Sequence, residues 1–262
     1  MAQLATPGVV SSAKREVTIS RQSIYEQSTT KHHEIGTRLR LGDRIFRYAA
    51  NSTAELAPSW MTTGPTTVGN YNNVSVTTSA TAGQMYVDIT AGATACTENQ
   101  FAGGYLWFNA GGTTIGEGCA YKIKSHLAVS AAGGTMRVHL YDPLATALTA
   151  TTTKATCYAN PWSAVVVHPA TTPTNRPTGV PLITVTASTS TITYYCWLQT
   201  GGFCPVAMKT TYSIGGGVGP VSSTAGECIV ATAGVPTALI GVVAQIGSAS
   251  DHPSLVWLYL DM

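Results

Sequence analysis

The chain has 262 residues, of which 44% are hydrophobic, 8% aromatic and only 10% charged, with a net charge of +2. That length supports one large β domain or two small ones around a substantial core. A charge fraction so far below the roughly 25% of ordinary domains leaves little electrostatic repulsion at the surface, which points to a protein covered by neighbours. No run of about 18 apolar residues occurs, so no membrane-spanning helix is expected.

The charge is uneven. Residues 1–50 hold eight basic and four acidic side chains, and the remaining chain holds six and eight. A basic N-terminal portion on a near-neutral body suggests a partner of negative potential. There is no dense Lys/Arg run, and no aromatic interleaving beyond Phe46 and Tyr48. An acidic protein surface is therefore expected, and nucleic acid is disfavoured.

Taken in order, residues 1–35 are polar and weakly periodic, with Val17-Thr18-Ile19 as a short strand candidate. The start, MAQLATPGVVSSAKRE, has no apolar signal region, so cytoplasmic synthesis without secretion is expected. The segment reads as an extended arm that becomes ordered on a partner. Its Lys31-His32-His33-Glu34 run lacks metal-ligand spacing and reads as solvated polar residues.

Gly36–Ala50, GTRLRLGDRIFRYAA, is the stretch around which the rest is arranged. Arg38-Leu39-Arg40-Leu41 alternates with period two, so a strand there places both arginines on one face and both leucines on the other. Gly42-Asp43 predicts a tight turn, and Arg44–Tyr48 a return strand. Arg38, Arg40, Arg44 and Arg47 are the candidate partner-binding residues, on a hinge between the arm (1–50) and a β-rich body (51–262).

Residues 51–80 are crowded with Pro58, Gly64-Pro65, Gly69-Asn70, Thr, Ser and Asn, and predict a long irregular connection. Asn73-Val74-Ser75 fits a glycosylation pattern that has no meaning without secretion. From residue 84 short strand signals recur: Gln84–Thr90, Tyr105–Asn109, Cys119–Leu127, Thr135–Tyr141, Ala164–Val167, Leu182–Thr186, Thr193–Leu198, Cys204–Met208, Cys228–Thr232, Leu239–Ile246 and Leu255–Leu260. In Cys119–Leu127 the alternation puts Tyr121, Ile123 and Ser125 on one face and Lys122, Lys124 and His126 on the other. In Thr135–Tyr141 it sets Arg137 and His139 against Met136, Val138 and Leu140. Leu144–Ala150 is a weak helix candidate, too short and Thr-rich to organise anything. The series predicts an all-β fold, an antiparallel sandwich or jelly-roll-like barrel with an extended N-terminal arm. Leu255–Leu260 is apolar enough to predict a central strand. If the body divides, the Thr/Pro/Asn-rich Ala170–Pro181 is the expected boundary.

Chemical motifs are absent. Gly215-Gly216-Gly217-Val218-Gly219 lacks G-K-[ST] and a following helix, and reads as a hairpin. No G-x-S-x-G occurs, and the acidic residues of the body are scattered singly. Tyr194-Tyr195-Cys196-Trp197 reads as two core and two surface residues rather than a sugar platform. Cys96, Cys119, Cys157, Cys196, Cys204 and Cys228 contain no C-x-x-C pair and predict buried reduced thiols. No catalytic residue, cofactor or metal ligand is assigned, and no enzyme is expected.

The runs RLRLGDRIFRYA, GYLWFNAGGTTIGEGCAYKIKSH, RVHLYDPL, NPWSAVVVHP, PTGVPLITVTA and YYCWLQTGG resemble structural proteins of tailed bacteriophages over roughly residues 36–205. The resemblance implies a capsid decoration (cement) protein that binds the outer surface of the major capsid protein shell. Such proteins commonly act as homotrimers at local three-fold positions. The implied location is the capsid exterior, and the four arginines would contact the shell. The alternative is a tail or head fibre with a receptor-binding β domain, for which Trp162 and Trp197 are the aromatic residues to inspect.

Overall fold

A computed structural model describes residues 22–66, 69–110, 116, 118–131, 133–170, 175–209, 213–220, 223–230, 239–247 and 252–261. The predicted strand Val17-Thr18-Ile19 lies outside the described residues. In chain order the strands are β1 (Arg38–Leu41), β2 (Arg44–Ala50), β3 (Thr62–Thr63), β4 (Val74–Ser75), β5 (Tyr86–Thr90), β6 (Tyr105–Ala110), β7 (Ala120–His126) and β8 (Thr135–Leu140). They continue with β9 (Lys154–Tyr158), β10 (Val166–Val167), β11 (Pro177–Pro181), β12 (Tyr195–Ala207), β13 (Gly217–Gly219), β14 (Ile229–Val230), β15 (Gly241–Gln245) and β16 (Pro253–Tyr259). One 3-10 turn, Gly69–Tyr71, is the sole helical element among the described residues. The all-β expectation is borne out, and the strands pair antiparallel throughout.

Two sheets form. The larger has ten strands in the order β10-β3-β11-β12-β16-β15-β13-β14, with β2 on β12 and β1 on β2. The smaller has the order β4-β9-β6-β7-β8-β5, and an antiparallel bridge between Val76, which follows β4, and Ile89 of β5 joins its two edges. All its strands fall between residues 74 and 158, so it is a contiguous excursion from the larger sheet. Chain leaves the large sheet after β3 and returns at β10, and these two strands are direct partners, Thr63 opposite Val166. The change of sheet therefore does not fall at the predicted boundary. Residues 171–174 of that segment lie outside the described ones, while β11 is bonded to β3 and β12.

β12 is the longest strand, at 13 residues. It bonds to β2 through Tyr195–Gly201, to β11 through Leu198 and Gln199, and to β16 through Gly201–Ala207. The sequence predicts two strands here, broken at Gly201-Gly202. They are one strand because the glycines meet a close backbone: a Cβ on Gly202 would collide with the Asp43 carbonyl oxygen, and its φ is +78°. β16 lies between β12 and β15, the central place predicted for it.

Hydrophobic alternation fills each interior. The core of the small sheet includes Ile89, Phe101, Leu106, Phe108, Ile123, Met136 and Val138. Met61, Val206, Met208, Ile240, Val243, Val256 and Leu258 build a second core in the large sheet. In β8 the faces divide as predicted, with Met136, Val138 and Leu140 buried. In β7 they do not: a bulge between Ile123 and Ser125 turns His126 inward, where it is 2% exposed. Its Nε2 accepts the Phe101 N–H at 3.0 Å.

Residues 22–35 depart from the arm expectation. They lie on their own sheet, with Ser28 and Tyr195 exchanging backbone hydrogen bonds of 3.0 and 2.8 Å. The cause is two buried aromatic donors that need acceptors. Tyr48 donates its hydroxyl to Gln22 Oε1 at 2.7 Å, and Trp197 donates Nε1–H to the Gln22 carbonyl at 3.1 Å. Ile24 closes the cluster with Phe46, Tyr48 and Trp197.

Candidate functional site

The β1–β2 hairpin forms around Gly42-Asp43, with Leu41 opposite Arg44 and Arg38 opposite Arg47. Leu39 packs against the Ile24–Trp197 cluster, while Arg38 and Arg40 face solvent. Arg44 is half-buried, with its guanidinium 5.5 Å from the Phe46 ring centroid. Arg47 is engaged inside the molecule. Its Nε and Nη2 both donate to the Asp261 carboxylate, the latter at 2.9 Å, and Nη1 donates to the Gly36 carbonyl at 2.8 Å. It also lies 5.0 Å from the Trp162 ring. Arg38 and Arg40 are thus presented outward. Arg44 lies on the opposite face of the hairpin against Phe46, with Nη1 donating to the Tyr25 hydroxyl at 3.4 Å, and Arg47 ties β2 to the residues after β16.

Beside the hairpin, the large sheet shows an uncharged apolar strip. Phe203, Trp257 and Val242 are successive partners across β12, β16 and β15, and Pro205 pairs with Leu255. Phe203 and Trp257 pack edge to face at 4.6 Å. Phe203 remains 44% exposed, whereas Cys204, Val206, Val256 and Leu258 on the opposite face are buried. The Asp43–Arg44 backbone abuts Gly202, so the cationic hairpin borders the strip.

A separate cleft of about 380 Å³ opens where the two sheets meet. Its walls carry Arg47, Trp162 and Arg176 on one side and Tyr105, Lys122 and Tyr158 on the other. Asn160 braces it, donating Nδ2–H to the Ile35 carbonyl at 3.1 Å. Arg176 stands 5.6 Å from the Trp162 ring. Of the two tryptophans singled out as accessible platforms, Trp197 is buried at 1% exposure and Trp162 is half-buried between groups of the cleft. Both faces of β12 are buried here, and Trp197 is covered by the distant segment that carries Gln22 and Ile24, which local sequence does not reveal.

No group of three His, Cys, Asp or Glu side chains gathers into a metal-binding arrangement among the described residues. His32 bonds Ser28 through its ring at 3.2 Å, and His33 packs at 5.1 Å from the Tyr48 ring. The six cysteines are free, five of them buried and Cys119 half-buried. Burial pushes the Cys196 and Cys204 thiols up to about 12, and those of Cys157 and Cys228 upward as well. No helix among the described residues is long and apolar enough to cross a membrane. No protein-family model matches the chain, and no curated protein or solved structure is significantly similar to it.

Proposed function

We propose that the protein is a bacteriophage capsid decoration protein that binds the outer surface of the major capsid protein shell and stabilises capsomer junctions. The observation that carries this reading is the Phe203–Trp257–Val242 strip beside the β1–β2 hairpin, which presents the exposed Arg38 and Arg40. An apolar, aromatic centre with a cationic rim is the anatomy of a protein-binding surface. Exposed apolar area of this kind is costly for a protein that works alone. The sequence resemblance supports the same assignment, with the homotrimer and the virion exterior as its assembly and location. A clamp of this type needs area and symmetry more than chemistry.

The test is sedimentation of expanded capsids with the purified chain. Stoichiometric co-sedimentation and a raised disruption temperature are expected, and both are lost in the pair Phe203→Ser, Trp257→Ser. Absence of binding, with capsids equally stable without the chain, overturns the proposal. Density confined to the tail vertex in a reconstruction of the particle replaces it with the fibre reading.

A further inference from the structure

The small sheet carries a second surface, apart from the Phe203 strip. Tyr158, Tyr105 and Lys122 are successive cross-strand partners on β9, β6 and β7. Directly opposed residues share a face, so they form one row on the outer side, opposite the buried Leu106 and Cys157. Tyr141 extends the row, with the Lys122 ammonium 5.9 Å from its ring. Trp107 stands two residues along β6 from Tyr105 and shares the face. The rings are open to solvent: Tyr105 is 46% exposed, Trp107 39% and Tyr141 55%. At one end the row runs into the cleft that holds Arg176. Lys122 and Arg176 are exposed, and no carboxylate among the described residues pairs with either; Glu34, which also lines the cleft, is ion-paired with Lys31 at 2.8 Å.

We propose that this row and the cleft bind an acidic saccharide, a sugar chain bearing carboxylates. Solvent-exposed phenol and indole rings accept the apolar C–H faces of pyranose rings, since each side of that contact is amphipathic. Arg176 takes a carboxylate through its planar fork of donors, and Lys122 supplies a point charge in the middle of the row. The balance of the site separates this ligand from nucleic acid. A polynucleotide needs a cationic groove that tracks a phosphate at every step. Here four aromatic residues are served by three cations without an ion pair, Lys122, Lys124 and Arg176, in a chain of net charge +2. These are too few to track a phosphate at every step and are suited to occasional carboxylates on a mainly neutral polymer.

The experiment uses the full chain on an array of carboxylated, sulfated and neutral glycans, with a ten-nucleotide deoxythymidine strand as competitor. Binding to carboxylated glycans is expected. Tyr105→Ala with Lys122→Ala should weaken it by about tenfold or more, with an unchanged circular dichroism spectrum because both side chains lie on the outer face. Arg176→Ala should shift preference toward neutral glycans. Failure to bind any carboxylated glycan overturns the proposal. So does retention of binding in the double variant, or displacement by the oligonucleotide at lower concentration than by free glycan. None of these outcomes depends on whether the chain binds capsids.

Discussion

Replacing Asp261 by alanine tests the assignment of Arg47 to the fold rather than to a partner. The two side chains are 22% and 17% exposed and share two hydrogen bonds. Removing one member of a fully buried pair costs about 3–5 kcal/mol, because the other charge is left without a partner. Partial exposure lets water reach Arg47, and the Gly36 carbonyl and Trp162 ring remain beside it, so we expect about 2–3 kcal/mol. For a chain of this size that lowers Tm by about 5–10 °C. Arg47→Met keeps the apolar stem against Trp162 and should cost a similar amount. The double variant should be less destabilised than the sum, with a coupling of about 1 kcal/mol or more. Thermal and urea unfolding followed by circular dichroism give these values. A loss below about 0.5 kcal/mol for Asp261→Ala, the range of ordinary surface changes, would refute the reasoning and return Arg47 to the partner-binding set. Arg38→Ala, whose Nε is 4.0 Å from the same carboxylate and whose side chain is 42% exposed, should stay within that range.

Three further outcomes follow from the packing. Gly202→Ala combines a φ of +78° with a collision against Asp43, and should destabilise by about 3 kcal/mol; unchanged urea unfolding would show that β2 and β12 do not meet so closely. Burial lowers the pKa of His126, and likewise that of His168, below the ordinary value of 6.5. Both are neutral when folded, whereas the unfolded chain takes up protons as pH falls through that value. Stability is therefore level above it and declines as pH drops below it toward the depressed folded values; His126→Gln should flatten part of the decline in Tm between about pH 6.5 and 5, and a Tm independent of pH in that window contradicts the burial. Among the cysteines, Cys119 alone should react readily with a thiol reagent in the folded protein, the other five only on unfolding; more than one fast thiol would contradict the core.

The strands were legible in the sequence wherever one face is wet and the other dry. Thr135–Tyr141 shows that alternation without interruption, and Gly42-Asp43 marks its turn because few other residues accept its backbone. Three features were hidden because they depend on residues far away in the chain. Gly201-Gly202 reads as a break, yet it is where β12 passes from pairing with β2 to pairing with β16. The inward turn of His126 depends on a bulge that the register with β8 imposes. Arg47 meets a carboxylate 214 residues on, a separation at which no spacing rule operates. The candidate surfaces divide in the same way. The outward arginines are a local pattern, whereas the cleft is assembled from segments near residues 36, 105, 122, 160 and 176, which share no motif.

The antiparallel clip between β3 and β10 has a consequence for how such a chain can change. Because Thr63 faces Val166 across one strand spacing, about 5 Å, the chain that builds the small sheet leaves and rejoins the large one at neighbouring points. A segment mounted on so narrow a base can be lengthened, exchanged or acquired whole without altering the register of the strands that carry it. The large sheet can thus stay constant while the small one is free to follow a different selection, and a foreign domain with adjacent termini can be grafted at the same two points.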